Sequence, residues 1–244
     1  INDFEIIVAD DGSTSETKKL LDTIKNETRL KIIHVWHKDE GFQKTRILNK
    51  AVMASRSEYL IFTDGDCVPR HDFIEAHLRF RQKGKFLSGG HFPLTIELSN
   101  LIEKDDILNQ NSFDLKWLKA KGLTDNFKNI KLTKSKTIAE FMNFITTTKP
   151  TWNGGNASAW KDDIVAVNGF DERMKYGGED REFGERLVNY GLTPRRIRYF
   201  AICIHLEHSR GYVNDEAWKI NNEIRKHTRK EKKAKTLYGI NLHA

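Results

Sequence analysis

Apolar residues along the chain switch repeatedly between two spacings, and this predicts strands and helices in turn. Residues 4–9 form an apolar, β-rich run, and residues 14–26 carry Leu20, Leu21 and Ile24 at helical spacing. The same change of spacing predicts further strands at residues 30–36, 58–63 and 85–88 and helices at residues 45–55 and 71–82. This alternation predicts an α/β fold with a mixed, mostly parallel sheet flanked by helices.

The rest of the chain does not continue this regular alternation of strands and helices. Residues 95–149 are polar, rich in Lys, Asn and Asp, and predict a weakly helical insertion over the sheet. Beyond them, the spacing predicts helices near residues 161–167 and 179–190 and a strand over residues 195–204. A sheet of this class usually opens with a strand and a helix before the first run seen here. We therefore expect an earlier strand to precede Ile1.

The composition is that of a globular protein. The 244 residues are 38% hydrophobic and 10% aromatic, which excludes a disordered chain, a collagen-like chain and a coiled coil. The longest apolar runs are far shorter than the roughly 20 residues that a membrane span needs, and the first nine residues lack the features of a signal peptide. Two cysteines, Cys67 and Cys203, are too few for a disulfide framework, so we expect a cytoplasmic protein.

Positive charge is concentrated near the C-terminus. The chain carries 41 basic and 34 acidic residues, a net charge of +7. Between residues 219 and 235, eight Lys or Arg stand against Glu223 and Glu231, a local charge of +6 that leaves +1 for the rest. A near-neutral body argues against a nucleic-acid-binding surface. The basic segment suits an anionic membrane surface, with a solvated, inert helix as the alternative.

Two acidic clusters directly follow predicted strands. Asp10 and Asp11 end the first strand, and Asp64 and Asp66, separated by one glycine, end the third. Ligands of such sheets bind beyond the carboxyl ends of the strands. The second pair of carboxylates can reach Mn²⁺ or Mg²⁺ and a bridged diphosphate, while the first can accept hydrogen bonds from a nucleobase or ribose. The alternatives are an Asp-Gly turn and capping of the following helix.

Two further pairs of residues carry chemistry. Glu179 and Asp180 stand at a predicted helix start behind Gly177 and Gly178, where an acid can act as a general base while glycine lets substrate approach the backbone. The alternative is a favourable interaction with the helix dipole.

His205 and His208 end the last predicted strand and are spaced like metal ligands, with an ordinary surface or core pair as the alternative.

Aromatic residues bracket the proposed site. Trp152 and Tyr176 are candidates to stack on the face of a sugar. Trp160 and Trp218 stand nearby in the sequence, and for these two we favour a place in the core.

The order of these motifs resembles that of known glycosyltransferases. The first half is similar to the nucleotide-sugar half of family 2 glycosyltransferases with the GT-A (Rossmann-like) fold, through residues 10–13, 41–49 and 64–66. The second half resembles the C-terminal region of β-1,4-galactosyltransferases and bacterial chondroitin-polymerase-like enzymes. The matching segments there are residues 152–156, 167–171, 176–180 and 205–210. The galactosyltransferases have Trp at Tyr176 and Met at His205.

The resemblance implies a role for each motif. Asp180 matches the catalytic base, and Glu179 matches an acid that binds the acceptor or sugar. Metal binding is implied for Asp66 and His208, and the histidine at His205 makes it a third candidate ligand of Mn²⁺ or Mg²⁺. Acceptor binding is implied for Tyr176, Gly178 and Trp152. Nucleotide-sugar binding is implied for Asp10, Asp11, Lys44, Arg46, Asp64, Gly154, Gly155 and Asn156.

The implied activity is an inverting, metal-dependent transfer of a hexose or N-acetylhexosamine, with Gal or GalNAc favoured, from a UDP-sugar to a hydroxyl of a saccharide or lipid-linked saccharide. Its setting would be synthesis of a bacterial surface polysaccharide or lipopolysaccharide, in the cytoplasm or peripheral at the inner membrane face. Two alternatives are a sugar-nucleotidyltransferase and a non-enzymatic nucleic-acid-binding protein; we expect no nucleic acid as a partner.

The resemblance also divides the chain. We expect one GT-A catalytic domain over residues 1–212, followed by a basic helical tail over residues 213–244. Within the domain, residues 1–94 form the nucleotide-sugar half, residues 95–149 the insertion and residues 150–212 the acceptor and catalytic half.

Overall fold

The computed structural model describes residues 3–209 and 215–243. Nine strands lie in this part of the chain: β1 (Glu5–Asp10), β2 (Lys31–Trp36), β3 (Tyr59–Phe62), β4 (Cys67–Pro69), β5 (Lys85–Ser88), β6 (Gly90–Pro93), β7 (Ala157–Trp160), β8 (Thr193–Arg196) and β9 (Ile202–His205). The α-helices there are α1 (Ser15–Glu27), α2 (Lys44–Ala54), α3 (Phe73–Phe80), α4 (Ile96–Ser99), α5 (Lys104–Leu108), α6 (Leu115–Ala120), α7 (Lys136–Ile145), α8 (Lys161–Ala166), α9 (Glu179–Asn189) and α10 (Asp215–Lys230). Short 3₁₀ helices lie at Asn111–Phe113, Phe127–Leu132 and Ile240–His243. The fold is mixed α/β, as predicted.

The chain divides into two compact units. The first contains Ile1–Leu60, Trp160–Leu192 and Gly211–Ala244, and the second contains Ile61–Ala159 and Thr193–Arg210. These units cut across the halves expected from the sequence, and that division stays a prediction.

The first unit is built on a parallel pair of strands. β1 and β2 run side by side, with Glu5 opposite Lys31 and Asp10 opposite Trp36. Helix α2 packs on both strands and buries Ile47 and Val52. The fully buried Asn49 of the same helix donates to the Phe170 carbonyl and accepts from its backbone N–H. A reciprocal pair of this kind satisfies buried backbone groups outside a helix, so Asn49 is structural.

Helix α10 is an integral part of the first unit. Its Asn221 is fully buried and donates to the carbonyls of Lys175 and Gly177. Thr228, two turns further along the same face, donates to Glu182 of α9 over 2.8 Å. The basic segment therefore has one side packed against α9 and exposes its lysines on the other.

The second unit contains two sheets. One has the order β3-β7-β5-β8, with β5 antiparallel to β7 and parallel to β8. The other has the order β4-β9-β6, with β9 antiparallel to β4 and parallel to β6. The strand predicted over residues 195–204 is wrong, because the chain turns between β8 and β9 with backbone bonds from Phe200 and Ala201 to Ile197.

The polar stretch at residues 95–149 supplies part of the core of this unit. Some of its apolar side chains are buried against Val68, Phe92 and Ile204 of the three-stranded sheet. The contributing side chains are Leu98, Phe113, Leu118 and Leu132. Among the described residues, no helix has the length and apolar character needed to cross a membrane.

A buried histidine in the second unit makes stability depend on pH. His77 is fully buried, its Nδ1 lies 2.7 Å from Ser158 Oγ and its Nε2 lies 3.0 Å from Asn156 Oδ1. Burial lowers the pKa of His77 to about 4 from its ordinary 6.5. Between these values the unfolded chain binds the proton and the folded chain does not.

We expect the free energy of unfolding to fall by roughly 3 kcal/mol as the pH falls from about 6.5 to about 4 because of this one residue. Urea denaturation across this range measures the slope. His77→Gln should flatten it, whereas the same change at the exposed His71 should not. Equal slopes in wild type and His77→Gln would contradict the assignment.

Candidate active site

The acids at the end of β1 have different environments. Asp10 is 5% exposed, and its two oxygens accept from the Ser13 backbone N–H over 2.8 Å and meet His34 Nε2 at 2.7 Å. Burial acts to raise the pKa of Asp10, but Ser13 and His34 outweigh it, so the pKa lies below its ordinary value. Both oxygens are thus used in building the loop. Asp10 does not cap helix α1, whose N-cap residue is Thr14, and its role in binding nucleotide stays a prediction.

Asp11 is more accessible. Its oxygens meet His37 Nε2 at 2.6 Å and the Gln43 backbone N–H at 2.8 Å, and its side chain keeps 26% of its surface exposed. A carboxylate has further lone pairs to offer a ligand. Arg46 is 40% exposed and donates to Gln43 Oε1 over 3.0 Å, so it stands on the same loop and helix start as the partners of Asp11.

An acidic pair opens α9 in the same unit. The backbone at Gly177 and Gly178 has φ values of +108° and +88°, which glycine adopts without strain. Gly177 N–H donates to Glu179 Oε2 over 2.9 Å, and Glu179 is 7% exposed. Burial and the neighbouring Asp180 raise the pKa of Glu179, while the positive charge of Lys44 opposes them. The predicted nucleotide ligand Lys44 thus lies beside the acidic pair.

A pocket of about 390 Å³ surrounds this pair. Its aromatic wall is formed by Tyr176 and Trp218, whose ring centroids are 6.4 Å apart and whose planes are nearly perpendicular. Trp218 is 37% exposed, so the expectation of a core position for it is wrong. The lining residues are Tyr176, Gly177, Gly178, Glu179, Asp180, Arg181, Trp218 and Arg225.

The second unit contains a convergent set of carboxylates and imidazoles. The antiparallel register of β4 and β9 places His205 opposite Cys67, next to Asp66. Asp66 Oδ2 lies 3.2 Å from His205 Nε2 and 3.1 Å from His208 Nε2. Burial acts to raise the pKa of Asp66, but the two imidazoles outweigh it, and the pKa lies below its ordinary value. The structure therefore brings together the three residues predicted to bind metal.

This cluster fits a hard divalent cation. Asp66 Oδ1 is buried and has no nitrogen or oxygen partner within the ranges that the structure describes. Single ligand atoms of Asp64, Asp66 and Cys67 lie within 4.8 Å of one another. Carboxylate oxygens with two imidazoles suit Mn²⁺, and carboxylates suit Mg²⁺. The residues that would hold the ion are Asp66, His205 and His208, with Asp64 beside them.

The Gly-rich segment at residues 152–156 is less accessible to a ligand than the sequence predicts. Trp152 is fully buried and packs against Phe62 and Phe86 with ring centroids 5.2 and 5.8 Å away. Its ring belongs to the core, so the prediction that it binds the acceptor is wrong.

Asn156 is also fully buried, and the prediction that it binds nucleotide-sugar does not fit. Its amide nitrogen donates to the carbonyls of Gly90 and Ala201, and its oxygen meets His77.

The two glycines of this segment are buried. A Cβ at Gly155 would lie 2.6 Å from His91 Nε2 and 2.9 Å from Asp64 Oδ2. Gly155 is therefore required for close packing beside the carboxylates, and the role of Gly154 in binding stays a prediction.

Several residues at these sites were missed from the sequence. Phe42 packs edge-on against Tyr176 at 5.7 Å, and His37 orients Asp11. Phe42 lies within the motif at residues 41–49, and that position could have identified it from the sequence. Arg225 lies in the basic segment, where charge alone did not distinguish it from its neighbours.

The fold is that of the GT-A glycosyltransferases. Residues 1–139 match the family described as glycosyl transferase family 2, and residues 140–209 match the one described as the N-terminal domain of galactosyltransferase. The first match covers more than half of the chain. The chain belongs to glycosyl transferase family 2. This membership favours the glycosyltransferase prediction over both alternatives.

Curated relatives share about a quarter of their residues with the chain. Chondroitin synthase of Escherichia coli is 25% identical over 85% of this chain and 31% of its own length. Validoxylamine A glucosyltransferase of Streptomyces hygroscopicus subsp. jinggangensis is 26% identical over 93% of this chain and 54% of its own length. The chain thus spans about a third to about half of these relatives.

Solved structures share the fold. A mannosyltransferase of Pyrobaculum calidifontis, in complex with GDP-Man and Mn²⁺, has a TM-score of 0.54 at 16% identity and covers 89% of this chain and 51% of its own. GalNAc-T7 with UDP, GalNAc and Mn²⁺ has a TM-score of 0.57 at 14% identity and covers 96% of this chain and 46% of its own. At these identities the likeness shows the fold.

Proposed function

We propose that this chain is an inverting, metal-dependent glycosyltransferase that moves a hexose or N-acetylhexosamine, with Gal or GalNAc favoured, from a UDP-sugar to a hydroxyl of a saccharide acceptor. The observation that carries the proposal is the convergence of Asp66, His205 and His208, which suits a cation that binds diphosphate. The acidic pair in an aromatic pocket supports it from the acceptor side. The product would be a bacterial surface polysaccharide or lipopolysaccharide.

Asp180 is the general base of this proposal. Its carboxylate takes the proton of the acceptor hydroxyl while that oxygen forms a bond to C1 of the donor sugar. The bond between C1 and the β-phosphate oxygen breaks, and UDP leaves with the electron pair. Attack from the face opposite to UDP inverts the configuration at C1. Glu179, whose Oε2 accepts from the Gly177 backbone N–H beside Asp180, would hold a sugar hydroxyl with its other oxygen.

The donor side uses charge and hydrogen bonding. A bound Mn²⁺ or Mg²⁺ supplies charge neutralisation for the leaving diphosphate. Asp11 would accept from uracil or ribose, and Asp64 would face the ribose or diphosphate. Lys44 and Arg46 would add positive charge near the nucleotide. On the acceptor side, Tyr176 and Trp218 offer ring faces and edges, and Gly178 lets the substrate approach the backbone.

The test is UDP release from UDP-Gal, UDP-GalNAc, UDP-Glc, UDP-GlcNAc and UDP-GlcA, each with and without Mn²⁺. Saccharides with free hydroxyls serve as acceptors, and the anomeric configuration of the product is read by NMR. The expected result is metal-dependent release with one preferred donor and an inverted product. Absence of turnover and of UDP binding with every donor would rule out the proposal.

Trp218→Ala should weaken acceptor binding. The side chain forms the aromatic wall of the pocket together with Tyr176, and an aromatic contact is worth about 0.5–1.5 kcal/mol. We expect the acceptor KM to rise by about two- to tenfold while the donor KM is unchanged. Tyr190→Ala, which removes another exposed aromatic residue at the end of α9, is the control. An unchanged acceptor KM would remove Trp218 from the acceptor site.

Residues 219–235 would hold the enzyme at an anionic membrane that carries a lipid-linked acceptor. The exposed lysines of α10 and the segment after it favour this, at about 1 kcal/mol for each basic residue near the surface. Part of this positive charge is already paired, since Arg225 forms an ion pair with Glu185 and Lys233 forms one with Glu231. Co-sedimentation with anionic vesicles tests the proposal. Charge reversal at the exposed Lys226 and Lys230 should release the protein, and unchanged binding would contradict it.

A further inference from the structure

The three-stranded sheet of the second unit carries two cysteines and a histidine on one face. His91 of β6 is opposite Cys203 of β9, and Cys67 of β4 is opposite His205. Cys203 precedes His205 by two residues, so their side chains point to the same face. The pairing of three separate strands thus collects Cys67, His91 and Cys203, which are far apart in the sequence.

The side chains of these three residues lie close together. Single ligand atoms of Cys67, His91 and Cys203 all lie within 4.8 Å of one another. Both cysteines are free thiols and both are buried. Gly155 faces these side chains, because a Cβ there would lie 2.6 Å from His91 Nε2 and 3.2 Å from Cys67 Sγ. Its carbonyl oxygen lies 3.6 Å from Cys203 Sγ. The missing side chain of Gly155 leaves the space in which the three groups converge.

We propose that Cys67, His91 and Cys203 form a second cation site, selective for a thiophilic divalent ion such as Zn²⁺. Two sulfurs and an imidazole are a ligand set that Zn²⁺ prefers, whereas Mn²⁺ and Mg²⁺ prefer the oxygens of the neighbouring cluster. The fourth position is open to water or to Asp64, whose Oδ2 faces the same glycine. The inference stands on these residues and does not depend on the proposed transfer reaction.

The side-chain amide nitrogen of Asn153 lies 2.9 Å from His91 Nδ1, so in the ion-free protein Nδ1 accepts and Nε2, on the side of Gly155 and Cys67, carries the ring proton. Binding of an ion through Nε2 moves the proton to Nδ1 and requires Asn153 to turn its amide oxygen towards it, since metal-binding histidines donate their second ring N–H to an acceptor. Because an ion here would link β4, β6 and β9, its binding should also stabilise the second unit against unfolding.

The experiment is a titration of the reduced protein with Cd²⁺, followed by the ultraviolet charge-transfer band of cadmium thiolate. The expected result is a band that saturates at one equivalent in the wild type. Cys203→Ser should diminish it, and His91→Asn, which keeps both thiols but removes a ligand, should weaken Cd²⁺ affinity by more than about 100-fold. His71→Asn, at an exposed histidine, should leave the titration unchanged.

A second measurement separates this site from the proposed Mn²⁺ cluster. His208→Ala should keep the cadmium band, and Zn²⁺ should raise the Tm of His208→Ala but not of the double variant that also carries Cys203→Ser. The far-ultraviolet circular dichroism of each metal-free variant shows whether it has folded. The inference is overturned if the reduced wild type gives no band, or if folded His91→Asn binds Cd²⁺ as tightly as the wild type does.

Discussion

Asp180→Asn is expected to lower the turnover number by about 10²- to 10⁴-fold, the range that a general base contributes. The amide has nearly the shape of the carboxylate but cannot take the proton of the acceptor hydroxyl. Binding should survive, because the wall formed by Tyr176 and Trp218 is untouched. Initial rates of UDP release at saturating acceptor measure the effect, and isothermal titration with UDP-sugar measures the donor affinity.

Asp162→Asn is the matched control for this change. It removes a carboxylate from the first turn of α8, in the same unit, at an exposed position. The control should retain wild-type turnover. Retained turnover in Asp180→Asn would remove Asp180 as the base, whereas a loss of donor affinity equal to the loss of rate would assign it to donor binding instead.

Asp66→Asn should abolish metal-dependent turnover. The substitution leaves His205 and His208 without the carboxylate on which both converge, and a neutral amide holds a dication poorly. Since loss of a mere supporting residue at a metal site costs about 10–100-fold in affinity, loss of this ligand should weaken Mn²⁺ binding by more than about 100-fold. Electron paramagnetic resonance of free Mn²⁺ gives the affinity directly.

Two controls accompany this experiment. Asp105→Asn changes an exposed carboxylate of the same unit and should leave Mn²⁺ affinity unchanged. Treatment of the wild type with a chelator should abolish turnover, and added Mn²⁺ should restore it. Wild-type Mn²⁺ affinity in Asp66→Asn would place the cation elsewhere.

Local patterns predicted the longer elements well. The helices α1 and α2 and the strands β2 and β5 lie within about two residues of their predicted bounds, because hydrophobic spacing and glycine punctuation are local properties. The short strands β4, β6 and β7 were missed, since three or four residues give too little periodicity to distinguish a strand from a loop. The turn between β8 and β9 is apolar, and it was therefore absorbed into a single predicted strand.

The predictions for individual site residues were likewise partly right and partly wrong. Asp66, His205 and His208 were recognised because the order of motifs is specific, and the register of β4 and β9 brings them together as expected. Trp152 and Asn156 belong to an equally suggestive motif, yet both are fully buried. Residue type cannot distinguish a ring that stacks on a sugar from one that packs in a core.

The sequence by itself determined the α/β class, the family and the acids at the strand ends, because each depends on local spacing or on the order of motifs. Only the tertiary structure decided which polar side chains are free to meet a ligand, since burial and hydrogen-bond partners come from distant segments. The same holds for the cluster of Cys67, His91 and Cys203, which the register of three strands assembles from residues that show no common motif along the chain.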